Sequence, residues 1–157
     1  MPRRIVITGM GIISGIGLNL EQTLTSLLQS RSGIEKIVYL ESHLKDLIPV
    51  SEVKCDNNRL MSLSGMAKQE GISRNCLLGI IAANEAYKNA AIDGHSGLRI
   101  GLISATTVGG MDKCELYYND FLTNNERNLY IDSYDCADST ERIADCLGIK
   151  DYITIGN

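Results

Sequence analysis

The sequence predicts an α/β layered fold with a mostly parallel sheet, and three observations carry that prediction. Short apolar runs with strand character stand at Ile5–Gly9, Leu98–Ser104 and Tyr152–Ile155. Between them lie helical patterns, the longest of which is apolar on nearly every side. Strands that read as continuous apolar runs, alternating with helices, suit a sheet covered on both faces. No internal repeat or low-complexity segment interrupts the pattern.

In chain order, Ile5–Gly9 reads as a buried first strand. Asn19 followed by Gln22 resembles a capping box. Leu20, Leu24, Leu27 and Leu28 then form one apolar helix face, and Ser30-Arg31-Ser32-Gly33 signals its end. Residues 34–64 read as irregular, with extended pieces at Ile37–Leu40 and Ile48–Val53 and a loop at Asp56-Asn57-Asn58. Ser73–Asp93 is the most strongly patterned helix: Cys76, Ile80, Ala83 and Tyr87 make one row, and Gly79, Ala82, Ala86 and Ala90 let another backbone come close. Asp93-Gly94 ends it, and the Leu98–Ser104 strand runs into the pair Gly109-Gly110. A helical pattern follows, then a loop at "NNERN". A short helix capped by Asp138, with Glu141 three residues on, ends at Gly148, and Tyr152–Ile155 is the third strand.

The chain has 157 residues, 44% hydrophobic and 22% charged, with a net charge of −4. That suits one globular domain and argues against a nucleic-acid partner, since no basic stretch is present to neutralise a run of phosphates. No apolar run reaches the roughly 18 residues of a membrane span. Arg3-Arg4 precedes a segment broken by Thr8 and three glycines, which does not read as a signal peptide. The five cysteines, Cys55, Cys76, Cys114, Cys136 and Cys146, are irregularly spaced without a C-x-x-C. His43 and His95 have no partner at ligand spacing, so no metal site is expected and the thiols read as reduced in a cytoplasmic protein.

The run "RRIVITGMGIISGIGLNLEQ" raises a dinucleotide-binding oxidoreductase as a remote alternative, because Gly11-x-x-x-Gly15-x-Gly17 has the spacing of short-chain dehydrogenases. A strict G-x-G-x-x-G is missing, Ser14 standing where the third glycine is needed. None of the seven tyrosines has a lysine four residues on. Asn19 also starts the helix too late to face a pyrophosphate at Gly11.

Four blocks in order instead resemble the β-ketoacyl-acyl-carrier-protein synthases, condensing enzymes of the thiolase-like superfamily. They are Arg3-Arg4-Ile5-Val6-Ile7-Thr8-Gly9-Met10-Gly11 with Ser14 and Gly17; Ser32-Gly33-Ile34 and the alanine-rich helix; "GLISATTVGGMDKCE"; and "DCADSTERIADCLGIKDYITI". The resemblance implies the incomplete N-terminal half of a thiolase-like layered fold. It places residues 1–157 as a truncated N-terminal ketoacyl-synthase domain, ending just before the expected nucleophile cysteine and lacking both family histidines. The glycines at 9, 11 and 17 then serve close packing rather than phosphate binding.

The implied activity is decarboxylative Claisen condensation in fatty acid or polyketide-type biosynthesis, with no cofactor and with an acyl carrier protein as partner. The chain alone is expected to be inactive, and no catalytic residue is assigned. None of its cysteines follows a strand at a helix N-terminus, so a low thiol pKa is not expected. The alternative is a non-catalytic partner of a competent synthase. Gly109, Gly110 and Met111 are candidates for an acyl pocket or subunit interface, and Arg59, Lys68 and Arg74 for carrier-protein contact. Apolar faces left uncovered predict self-association or pairing with a synthase subunit.

Overall fold

The computed structural model describes residues 4–67, 69–92, 97–124 and 129–156. The chain divides into two compact units, Met1–Asp56 with Ile81–Gly94, and Asn57–Ile80 with His95–Asn157. One long helix contributes its first half to the second unit and its last half to the first.

In the first unit, helix α1 spans Leu20–Leu28. The expected cap forms: Asn19 Oδ1 accepts from the Gln22 amide at 2.8 Å, while Gln22 Oε1 accepts from the Leu18 amide at 2.9 Å. The helix reverses at Ser30, which takes φ 51°, and the Arg31 amide donates to Ser26 O at 2.9 Å. The helix thus stops at the start of the expected Ser30–Gly33 run, but on Ser30 rather than on the glycine; Gly33 is buried beside Gly15 and Ser51. The expected leucine face is also corrected. Thr23 and Ser26 are the buried residues of α1, and Leu24, Leu27 and Leu28 are exposed.

Ile5–Gly9 is not a strand. Residues 4–13 form no ladder with any described residue, and Ile5 is 97% exposed. A strand's amides and carbonyls need a neighbouring strand to pair with, and among the described residues none pairs with this run.

Two-residue strands β1 (Glu35–Lys36) and β2 (Pro49–Val50) pair antiparallel, close to the extended pieces expected there. The first is cut short by a competitor. The Glu52 carboxylate accepts from the amides of Val38 at 2.5 Å, Tyr39 at 3.1 Å and Leu40 at 3.0 Å, so these donors are not available to a strand.

In the second unit, α2 (Asn57–Ser64) occupies what the sequence reads as loop and irregular chain. It forms because Leu60 and Ser64, four apart, are both buried. Helix α3 (Arg74–Asn89) starts where Ser73 Oγ accepts from the Cys76 amide at 3.2 Å. Cys76, Leu77, Ile80 and Ile81 are buried along it. The chain leaves helical geometry at Ala91, φ 50°; the expected Asp93-Gly94 stop lies outside the described residues.

Strand β3 (Gly101–Ala105) pairs in parallel with β4 (Tyr152–Gly156), in the register Gly101↔Tyr152 through Ala105↔Gly156. The parallel pairing agrees with expectation. The continuous burial of the second strand does not, since β3 alternates and Ile103 is 74% exposed.

Between these strands run α4 (Met111–Asn124), the short α5 (Leu129–Asp132) and α6 (Cys136–Leu147). Most of the "NNERN" loop lies outside the described residues. Helix α6 is capped by Asp135 rather than Asp138: the Asp135 carboxylate accepts from the Ala137 amide at 2.8 Å. Asp138 lies one turn inside and pairs with Arg142 Nε at 2.8 Å. Gly148, φ 66°, ends α6 as expected, and the amide of buried Ile149 donates back to Ala144 O at 2.8 Å. Ile143 and Ala144 face inward, and Ile143 Cδ1 fills the space beside Gly79.

Candidate functional site

In a parallel sheet, ligand sites form beyond the carboxyl ends of the strands. Here β3 ends at Ala105 and passes through Thr106-Thr107-Val108 into Gly109-Gly110 and the start of α4. Hydrogen bonds fix this turn. Thr106 Oγ1 accepts from the Gly109 amide at 3.3 Å and from Asn75 Nδ2 at 3.3 Å, and the Gly110 amide donates to Ser133 O at 2.7 Å.

Both glycines are buried. Gly109 has φ 50°, a conformation that disfavours any Cβ, and a Cβ there would meet Tyr134 O at 2.5 Å. At Gly110 a Cβ would strike Ser133 O and Oγ. The pair therefore lets α4 begin against the backbone of residues 133–134. Met111, the first residue of α4, is 44% exposed.

A cavity of about 550 Å³ opens elsewhere in the same unit, among α2, α3, α4 and α5. Met61, Leu77 and Tyr130 supply its apolar wall, and Asn57, Glu70 and Lys113 its polar one. Tyr130 stacks on Tyr117 with ring centroids 4.3 Å apart, and Lys113 Nζ lies 6.0 Å from the Tyr130 centroid. Burial pushes the Tyr130 phenol above its ordinary value, with Tyr117 and Glu70 adding to it.

Neither Arg59 nor Arg74 is part of the cavity's lining, although Arg74 meets Asn57, which is. Arg74 Nη1 donates to Asn57 Oδ1 at 2.8 Å, and Arg59 stands exposed two residues on, in the first turn of α2. Lys68 lies outside the described residues. Lys113 lines the cavity, and its signal in the sequence is its place three residues after the glycine pair. Met111, Gly109 and Gly110 are not part of the cavity's lining.

None of the five cysteines is in a disulfide. Cys76 has no exposed surface, and its thiol is pushed up to about 11, mainly by burial. Burial also raises the Cys114 thiol, whose Sγ donates to Tyr130 O at 2.9 Å. Cys136 is the first residue of α6, a helix N-terminus, but α5 and not a strand precedes it, and its Sγ donates to Thr106 O at 3.4 Å. Cys146 is exposed on the last turn of α6. His43 is exposed, and His95 lies outside the described residues. Among the described residues no group of three or more His, Cys, Asp or Glu is placed to hold a metal ion.

Several donors of the glycine-rich run of the first unit are occupied from within. Glu85 on α3 accepts from the Ile12 amide at 2.9 Å and from the Leu20 amide at 2.8 Å, and Asn89 Oδ1 accepts from the Met10 amide at 3.1 Å. Gly9 and Gly11 lie against Ala82, Ala86 and Ala90 so closely that a Cβ at Gly11 would stand 2.6 Å from the Ala86 nitrogen. A carboxylate thus sits at the start of α1, where a bound pyrophosphate would need the same amides. Glu85 and Asn89 stand four apart on the alanine-rich helix, a spacing that puts both on the face that meets this run.

Residues 2–150 match the family model for the beta-ketoacyl synthase N-terminal domain. The chain is 28% identical over 129 residues to 3-oxoacyl-[acyl-carrier-protein] synthase 2 of Staphylococcus aureus (strain N315), covering 81% of this chain and 31% of that protein. It is 31% identical over 126 residues to nodulation protein E of Rhizobium meliloti (strain 1021), covering 79% of this chain and 31% of that one. The chain thus spans about a third of the length of these curated relatives.

Among solved structures, the ishigamide ketosynthase/chain length factor superposes with a TM-score of 0.77 at 19% identity, over 96% of this chain and 38% of that one. A type II PKS acyl-carrier protein in complex with its ketosynthase bound to the hexaketide gives 0.66 at 19% identity, over 98% and 42%. The parallel β3–β4 pair with its intervening helices is accordingly a partial ketosynthase fold, and the chain belongs to the beta-ketoacyl synthase N-terminal domain family.

Proposed function

We propose that this chain supplies the N-terminal portion of a β-ketoacyl-acyl-carrier-protein synthase acting in the cytoplasm in fatty acid or polyketide-type biosynthesis, and that on its own it carries out no condensation. The family match over residues 2–150 carries the first half of this reading. The environments of the cysteines carry the second. Condensation begins with transfer of an acyl group to a thiolate, and each thiol here is buried, raised in pKa, engaged with a carbonyl, or placed at a helix C-terminus.

The partner that fits is an acyl carrier protein, an acidic surface, meeting Arg59, Lys68 and Arg74, with Lys113 added from the rim of the cavity. Such contacts at an interface rim govern encounter and salt dependence more than intrinsic affinity.

The test combines two readouts on the purified chain. Incubation with acyl- and malonyl-carrier protein yields no β-ketoacyl product and no acyl-cysteine mass adduct. Titration with acyl carrier protein shows salt-sensitive binding that Arg59→Glu and Arg74→Glu each weaken by about twofold to fivefold. Carbon–carbon bond formation by the chain refutes its inactivity, and unchanged binding in both variants refutes the assigned contact.

A second function, as non-catalytic partner of a competent synthase, is favoured by one observation. Val108, Met111, Tyr118 and Leu122 are all exposed around the glycine-pair turn and the outer side of α4. Co-purification with a full-length synthase, lost in Tyr118→Lys, supports this role. Failure to co-purify removes it.

A further inference from the structure

We draw no further inference here: the strongest candidate, the cavity walled by α2, α3, α4 and α5, belongs to the surface already described and proposed above as the carrier-protein contact.

Discussion

Cys76 shows how burial sets the chemistry of a single residue. Its thiol lies in the core beside Arg142 and Asp138. Burial raises its pKa, Arg142 opposes the rise, and Asp138 reinforces it, leaving a value near 11 against an ordinary 9.0. Between those two values the unfolded chain releases a proton that the folded chain keeps. The stabilising contribution is therefore complete below pH 9.0 and is lost as pH climbs toward about 11. The urea midpoint is expected to fall across that window. Cys76→Ala should flatten part of the slope, because Cys114 and Tyr130, also raised, act in the same direction. An identical slope in the variant would show that Cys76 is not the responsible group. Glu85 makes a second case. Removing its carboxylate leaves the Ile12 and Leu20 amides without their acceptor, so Glu85→Ala should cost about 1–3 kcal/mol. Glu85→Gln, which keeps one acceptor oxygen, should cost less. Equal losses in the two variants, measured by denaturant unfolding, would mean that the carboxylate holds neither amide.

Helix α6 separates what a sequence pattern can locate from what only packing decides. Its existence, its Gly148 stop and the strand after it follow from periodicity and a glycine. Its cap does not: the Asp138–Glu141 spacing suggests Asp138, and only the folded chain puts Asp135 in that place. The structure assigns the cap to Asp135 and gives Asp138 to Arg142. Asp135→Ala should therefore cost about 0.5–2 kcal/mol, and Asp138→Ala only the few tenths typical of an i,i+4 pair. Thermal unfolding of both variants checks the order, and a larger loss at Asp138 would reverse the assignment. Other elements divide along the same line. Helix α3 is legible because Cys76, Leu77, Ile80 and Ile81 bury on the helical period, and the parallel β3–β4 pair because both strands read as short apolar runs. Helix α2 is not, because Asn57-Asn58 reads as a turn, and the burial of Leu60 and Ser64 four residues apart shows only in the folded chain. The Val38–Leu40 strand is lost to the Glu52 carboxylate, a partner twelve to fourteen residues away that local propensity does not register. The candidate site follows suit. The glycine pair announces its turn in the sequence, whereas Lys113 joins Asn57 and Glu70 at one cavity only through the fold.

For the molecule as a whole, the uncovered apolar surface has a direct consequence. In the first unit, Ile5, Val6 and Ile7 lie exposed in succession, and α1 turns Leu24, Leu27 and Leu28 outward, with Leu28 78% exposed. Each exposed leucine is unremarkable alone, but three on one helix face form a contiguous stripe, and stripes of that kind drive association. The polar residues that α1 buries, Thr23 and Ser26, confirm that the helix is not simply turned to hide its leucines. The isolated chain is therefore expected to self-associate at micromolar concentrations, giving a sedimentation coefficient that rises with loading and binding of a hydrophobic dye in the native state. Leu27→Lys combined with Leu28→Lys should shift that equilibrium toward monomer with little change in helix content, because neither side chain contributes to the core. A wild-type chain that sediments as a monomer at every concentration and leaves the dye dark would show that these faces are covered in solution. Association unchanged by the double substitution would move the contact away from α1, to Ile5–Ile7 or to the exposed side of α4.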